Sequence, residues 1–352
     1  MNIETRNKMK RMKVNYPSNT WWVAGFSSEI TREPIGRWIL DKPVLLYRTQ
    51  NGDPVALDDR CPHRWAPLSK GRVVGDDIEC PYHGITFGPD GHCVRIPSQK
   101  AIVADCLVHS YPLIESGPFV WIWMGDPERI EEYDPPQDLG WANSADWSVA
   151  TGAMEWNGNY LLLHDNVVDL THFNFLHRNT LAQDDWLKPP KVTTTKTTVT
   201  FRQEFIDRQL KPFHTSATRT APDRPASRFI TEGIWFSPAL HTAAEFIEFD
   251  DAVPGERDKF TFRVAHATTP ISMDRYRYYF IVGWDVDLPD DVKAAMGPGA
   301  AVIFEEDRAM IEAVSEMVAQ DSRGTDYPEL KLQADTPQLH MRQKVKELMA
   351  RE

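Results

Sequence analysis

The chain has 352 residues, 41% hydrophobic and 26% charged, the composition of a folded protein with room for two domains of ordinary size. A net charge of −12 argues against nucleic acid as a partner, and no apolar run approaches the roughly 18–20 residues of a membrane span. Four cysteines are too few for a disulfide scaffold and point to a reducing cytoplasm.

Residues 1–16, with Arg6, Lys8, Lys10, Arg11 and Lys13, read as a basic N-terminal arm; no apolar stretch follows that would make it a secretory signal. Residues 17–135 read as the short strands of an antiparallel β domain. Val44-Leu45-Leu46-Tyr47 and Phe119-Val120-Trp121-Ile122-Trp123 are β-rich, and Asn51-Gly52-Asp53, Gly75-Asp76-Asp77 and Pro89-Asp90-Gly91 are turn signals. Within this domain Cys61-Pro62-His63 is followed, after sixteen residues, by Cys80-Pro81-Tyr82-His83. Each loop offers one thiolate and one imidazole, the ligand set of a Rieske [2Fe-2S] centre, in which two Cys hold one iron and two His the other. A zinc site also takes two Cys and two His, but usually with like residues paired, C-x2-4-C then H-x3-5-H. Arg60, Arg64, Lys70 and Arg72 gather near the first loop and predict a basic patch that steers an acidic electron donor. Cys93 and Cys106 are left over and are expected as buried or free thiols.

Asp134-Pro135-Pro136-Gln137-Asp138 reads as a linker, and residues 136–352 mix helix with strand. His164 to His177 holds no Pro or Gly and follows Leu161-Leu162-Leu163, so a helix is predicted over 158–178. On it Asp169 and His172, three apart, would share one face. His172 and His177, five apart, would point about 140° apart. For both to reach one metal the helix must end or distort between them, as through a π-type bulge. Two His with open positions need one carboxylate to complete the facial triad of a non-haem Fe(II) oxygenase. The candidates are Glu305, Glu306 and Asp307, on a helix predicted from Ala300 to Ala319; the residues alone leave the three open. Strands are predicted at 192–201, 260–264 and 278–284, a last helix at 338–350, and a mobile loop over the pocket at 210–228. The fold class is therefore α+β, an antiparallel sheet with helices folded over it. There is no G-x-G-x-x-G and no C-x4-C-x2-C, so the chain is not expected to take electrons from NAD(P)H directly.

The chain resembles the terminal oxygenases of the Rieske non-haem iron family, and within it the demethylating branch typified by dicamba O-demethylase and vanillate O-demethylase. The resemblance runs from Asn19-Thr20-Trp21-Trp22 to about residue 345. It is carried by Cys61-Pro62-His63-Arg64-Trp65-Ala66-Pro67-Leu68, Cys80-Pro81-Tyr82-His83-Gly84, Trp121-Ile122-Trp123-Met124-Gly125-Asp126, Asp165-Asn166-Val167-Val168-Asp169-Leu170-Thr171-His172 with His177, and Glu306-Asp307. It implies a Rieske domain over 17–135 and a helix-grip catalytic domain over 136–352. Cys61, His63, Cys80 and His83 would hold the cluster, and His172, His177 and Asp307 a mononuclear Fe(II). Asp169 would bridge the two centres across the subunits of a homotrimer, accepting from His172 and from His83 of a neighbouring chain, and Asn166 would shape the pocket. His241 and His266 would stand where the dicamba-type enzymes place substrate-contacting residues. His164 and His214 carry no motif and read as structural or surface residues. The implied activity uses O2 and electrons from a separate NAD(P)H-dependent reductase or ferredoxin to hydroxylate an aromatic substrate, with O- or N-demethylation releasing formaldehyde. A ring-hydroxylating dioxygenase α subunit shares every metal residue and would form a cis-diol instead. A Rieske electron carrier without catalysis would lack the second iron.

Overall fold

The computed structural model describes residues 16–252 and 256–352; residues 1–15 of the basic arm lie outside these. The first half builds three small antiparallel sheets. One joins β1 (Trp21–Phe26), β10 (Phe119–Trp123) and β9 (Leu113–Ser116). A second joins β2 (Ile35–Ile39), β3 (Lys42–Arg48) and β4 (Pro54–Asp58). The third runs β5 (Arg72–Val74), β6 (Asp77–Glu79), β7 (Thr86–Phe87), β8 (Cys93–Arg95). All of β1 and β10 is buried, so both read as continuous apolar runs and not as alternating ones.

The second half is one seven-stranded antiparallel sheet. Its strands are β11 (Ser148–Asn157), β12 (Lys191–Thr194), β13 (Val199–Arg208), β14 (Ala226–Ser237), β15 (Leu240–Glu248), β16 (Lys259–Ser272) and β17 (Arg275–Trp284), in spatial order β11-β17-β16-β15-β14-β13-β12. Among the described residues four α-helices accompany it: α1 (Tyr160–Val167), α2 (Pro212–Thr218), α3 (Asp290–Gln320) and α4 (Thr336–Met349). The observed class is the expected α+β arrangement of small β sheets followed by a sheet with helices. One apolar core runs through both halves, from Trp22, Trp121 and Trp123 to Tyr278, Tyr279 and Phe280. Thr269 Oγ1 donates to the Val23 carbonyl at 2.6 Å, and Glu352 accepts the Ser18 and Asn19 N–H groups at 2.9 and 3.0 Å.

Four local expectations are corrected. The helix predicted over 158–178 ends at Val167. Asp169 then turns extended, at φ −120° and ψ 101°, and its side chain takes the Thr171 N–H at 2.9 Å and the Thr171 hydroxyl at 2.7 Å, which starts a separate 3-10 turn over Leu170–Asn174. This local cap competes with helix continuation, and it replaces the π-type bulge. The strand predicted over 192–201 is two strands, because Thr195 Oγ1 accepts the N–H groups of Thr197 and Thr198 and folds the threonine run into a hairpin. The mobile loop predicted at 210–228 contains α2 and the start of β14. Pro212 stands at the first position of α2, and His214 anchors it to Glu245 of β15 at 2.8 Å. The helix expected from Ala300 begins at Asp290 and carries Pro298 within it.

Two glycines let aromatic rings lie flat on the large sheet. Gly233 is opposite Phe201 and Gly152 opposite Phe280, and a Cβ at either glycine would overlap the facing ring. Gly233→Ala is therefore expected to lose about 1–3 kcal/mol of stability by overpacking. A lowered urea midpoint at unchanged slope would register it; an unchanged midpoint would show that Phe201 moves aside freely.

Candidate metal centres and substrate pocket

The two Cys/His loops close in the same way. Cys61 N–H donates to the Ala66 carbonyl (2.9 Å) and Trp65 N–H to the Cys61 carbonyl (2.8 Å); Cys80 N–H donates to Ile85 (2.8 Å) and Gly84 N–H to Cys80 (3.1 Å). Four residues after each Cys the backbone enters the left-handed region, at Trp65 (φ 61°) and Gly84 (φ 70°). Glycine adopts this readily and tryptophan only at a cost. The Trp65 indole is 70% exposed, with the Arg60 guanidinium 5.0 Å from its ring.

The loops bury both sulfurs among Leu68, Ile78, Ile85 and Phe87 and leave His63 and His83 exposed, with ring centroids 4.4 Å apart. Burial pushes the Cys61 thiol up to about 11, against main-chain N–H bonds from His63 and Arg64 that lower it; the neighbouring Cys80 thiol raises it further. Thiols thus lie on the inner side and imidazoles on the outer side, as a centre with sulfur on one iron and nitrogen on the other requires. A lone zinc ion would draw all four donors to one point. Among the described residues the one His/Cys/Asp/Glu group gathered that closely is a different one, formed by His172, His177 and Asp307, with ligand atoms within 4.8 Å of one another.

This second group draws on two elements. His172 lies in the 3-10 turn after α1, His177 in the turns that follow, and Asp307 in the middle of α3. Ending α1 early lets the two imidazoles, five residues apart, come to 5.0 Å between centroids. Asp307 Oδ1 lies 3.1 Å from His177 Nε2 and 3.5 Å from His172 Nε2. The geometry also separates the three acids. Glu305 points outward and grips Arg308, with both carboxylate oxygens accepting from Nε at 2.9 Å. Glu306 stands behind His177, on its Nδ1 at 2.7 Å. Only Asp307, 5% exposed, faces both rings. Burial pushes its carboxyl up, but the hydrogen bonds and charge of His172 and His177 outweigh this and hold it well below the usual range. Two imidazoles and one carboxylate on one side of a buried site fit the facial triad that leaves positions open for O2.

Asn166, on the last turn of α1, donates from Nδ2 to Asp307 Oδ1 at 2.9 Å, so it touches the triad directly. Asp169 does not share a helix face with His172, as expected from spacing. The His172 Nδ1 meets the Asp169 main-chain carbonyl at 2.5 Å, while the carboxylate is turned to Thr171. The reason is the extended backbone at Asp169, which points its carbonyl and not its side chain at the following turn. Spacing alone also missed the acceptor behind His177, Glu306 with Thr180 beside it at 3.0 Å. The general need of a metal-bound His for a second acceptor was the available signal.

His241 and His266 are directly opposed on β15 and β16, in one row of the sheet that continues to Trp235 on one side and Phe280 on the other. His241 is fully buried, stacks on Phe201 at 5.7 Å, and has both ring nitrogens without a partner. His266 Nδ1 pairs with the Tyr278 hydroxyl at 2.8 Å, and its ring lies 5.5 Å from that of Phe304, one turn before Asp307 on α3. Burial, reinforced by the neighbouring imidazoles of His266 and His164, lowers His241 well below its ordinary value. Burial likewise brings His266 down to about 4, against the pull of Asp307. Both rings are neutral at physiological pH. His164, by contrast, is anchored through Nε2 to the Pro238 carbonyl (2.8 Å) and Thr268 Oγ1 (3.0 Å), a structural role, although its buried Nδ1 has no partner among the described residues. A cavity of about 420 Å³ lined by Asn166, Thr171, His172, Phe175, Leu176 and Met310 opens beside the triad.

Comparison with known proteins agrees with this reading of the two centres. Residues 20–112 match the Rieske [2Fe-2S] domain, and residues 156–351 match the vanillate O-demethylase oxygenase C-terminal domain. The chain is 36% identical, over 86% of its length and 89% of the relative's, to the iron-sulfur subunit of a toluene-4-sulfonate monooxygenase system from Comamonas testosteroni. It is 29% identical, over 96% of both chains, to a vanillate O-demethylase oxygenase subunit from a Pseudomonas species. The crystal structure of dicamba monooxygenase bound to 3,6-dichlorosalicylic acid superposes with a TM-score of 0.88 at 26% identity, over 96% of this chain and 98% of that one. An α+β fold carrying a Cys/His cluster cradle, and a separate buried triad suited to iron, is thus found where both family models match. The chain belongs to the Rieske non-haem iron oxygenases and is an oxygenase component with a vanillate O-demethylase type catalytic domain.

Proposed function

We propose that this enzyme removes an O- or N-methyl group from an aromatic substrate, releasing formaldehyde, with electrons from a separate reductase or ferredoxin. One observation carries the reading: close to a triad with open positions lie buried aromatic rings and two neutral imidazoles, His241 without a partner among the described residues and His266 held at Nδ1 alone by Tyr278. Cys61, His63, Cys80 and His83 hold the cluster, and His172, His177 and Asp307 the Fe(II). When bound there, the iron supplies the two-electron activation of O2 that hydroxylation of a methyl carbon needs; the hydroxylated carbon then leaves as formaldehyde. Phe201, Phe280 and Phe304 supply the apolar contacts to the substrate ring; His241 offers both ring nitrogens to the substrate's polar group, and His266, whose Nδ1 pairs with the Tyr278 hydroxyl, offers Nε2. Asn166 holds Asp307 in place with its 2.9 Å hydrogen bond.

Electrons reach the triad through Asp169. Its Oδ1 is occupied by Thr171, and among the described residues its Oδ2 has no partner. In the homotrimer we propose, that oxygen accepts from His83 of the partner subunit, and the His172 ring sits next in line on the Asp169 carbonyl. Exposed rings at both ends support the contact: Tyr82 (65%) beside His83, and Phe175 (65%) beside the triad. Exposed Arg60, Arg64 and Lys70 near the cluster suit an acidic donor protein, and four cysteines with no disulfide among them suit the cytoplasm. Among the described residues no helix is long and apolar enough to cross a membrane.

The test is a screen of methoxylated, N-alkylated and methyl-bearing arenes, toluene-4-sulfonate among them, with a surrogate reductase. Stoichiometric formaldehyde is the expected result. A cis-diol, or a hydroxymethyl product without formaldehyde, overturns the demethylase assignment and leaves the oxygenase class intact.

A further inference from the structure

We infer that Glu306 is a positioning residue for the iron: its carboxylate locks the His177 imidazole from behind and makes it the more basic of the two histidine ligands. The inference rests on the proposed ligation by His177 and goes beyond it. Glu306 and Asp307, consecutive on α3, take opposite nitrogens of one ring, with Glu306 Oε2 at 2.7 Å from Nδ1 and Asp307 Oδ1 at 3.1 Å from Nε2. The same Glu306 oxygen accepts the Thr180 hydroxyl at 3.0 Å, which fixes the carboxylate in turn. The His177 ring is 1% exposed, so water does not compete for Nδ1. A carboxylate at Nδ1 keeps the proton there and leaves the Nε2 lone pair free for a metal.

His172 is held differently. Its Nδ1 meets a neutral acceptor, the Asp169 carbonyl. Its side chain is 20% exposed. The two ligands therefore differ in basicity although both are imidazoles, since an acceptor carrying full charge strengthens the ligand more than a neutral one. Glu306 cannot itself be the third ligand in this arrangement, because its Oε2 is engaged on the side of the ring away from Asp307. The run Glu305-Glu306-Asp307 thus divides into three roles: Glu305 on the surface with Arg308, Glu306 behind the ligand, and Asp307 as the ligand.

The experiment uses the full-length, cluster-loaded protein with the mononuclear site emptied by a chelator, and follows Co(II) uptake by competition and by visible absorption. Glu306→Gln keeps shape and hydrogen-bonding capacity but loses the charge. It is expected to weaken Co(II) binding about 10–100-fold and to shift the Co(II) bands. Glu306→Asp should recover part of the affinity. Thr180→Val, which leaves Glu306 in place and removes its support, should weaken binding by a smaller factor and serves if Glu306→Gln does not fold. The cluster spectrum and thermal midpoint of Thr180→Val should match those of the unaltered protein. Glu306→Gln affinity within about twofold of the unaltered protein, with unshifted bands, overturns the inference. Failure of the unaltered protein to take up Co(II), or undiminished uptake by Asp307→Asn, overturns the ligand set on which the inference rests.

Discussion

Asp307→Asn is expected to purify with its cluster spectrum intact and about two irons per chain in place of about three. Turnover should fall by about three orders of magnitude or more, equivalent to about 4 kcal/mol or more of barrier. The reason lies in the charge at the site. Among the described residues Asp307 is the one carboxylate facing both His172 and His177, and those rings hold it ionised despite burial. An amide of the same shape supplies no charge to balance a divalent ion, while Asn166 would still find an oxygen to donate to. Iron analysis with the cluster absorption as internal standard measures it. Three irons per chain and normal turnover would remove Asp307 from the ligand set.

Asp169→Asn separates electron delivery from metal binding. Both metals should be retained, since Asp169 is expected to ligate neither. Asn also keeps an Oδ1 able to accept from the Thr171 N–H and hydroxyl, so the turn that carries His172 should survive. The second carboxylate oxygen becomes an N–H donor, which cannot accept from an imidazole N–H of a neighbouring subunit. Reoxidation of the reduced cluster in a single turnover should slow by about two orders of magnitude or more, about 2.7 kcal/mol or more. An unaltered rate would show that the Asp169 carboxylate is not in the path. The main-chain carbonyl, which alone touches His172, would then be enough.

Much of the site was legible because ligand chemistry is written in residue type and short spacing. Cys61 with His63 and Cys80 with His83 need only tight loops to form a cradle, and tight loops are local. His172 and His177 were legible for the same reason, including the requirement that the helix end or distort near them. What replaced the bulge was a side-chain cap at Asp169, a choice between two local hydrogen-bonding options that spacing does not decide. The threonine hairpin at 195–198 and the helix at 212–218 escaped for related reasons. β-branched residues suggest strand wherever they cluster, and a Pro- and Arg-rich segment suggests loop until a partner such as Glu245 fixes it.

Sequence by itself determined the cofactor chemistry and the α+β class, since these follow from donor atoms, their spacing and the periodicity of apolar residues. Residue type and spacing left Glu305, Glu306 and Asp307 open and only the resemblance pointed to Asp307; the tertiary structure gave all three their places, because one helix turn presents them to solvent, to the back of His177 and to both imidazoles. The structure likewise set Trp235, His241, His266 and Phe280, drawn from four strands, in one row of the large sheet, with Phe201 stacked on His241. Strand pairing between distant segments sets that row, and Gly152 and Gly233 make room for the rings of Phe280 and Phe201. The same long-range pairing leaves the His241 ring buried without partners, a condition that no local pattern in the chain announces.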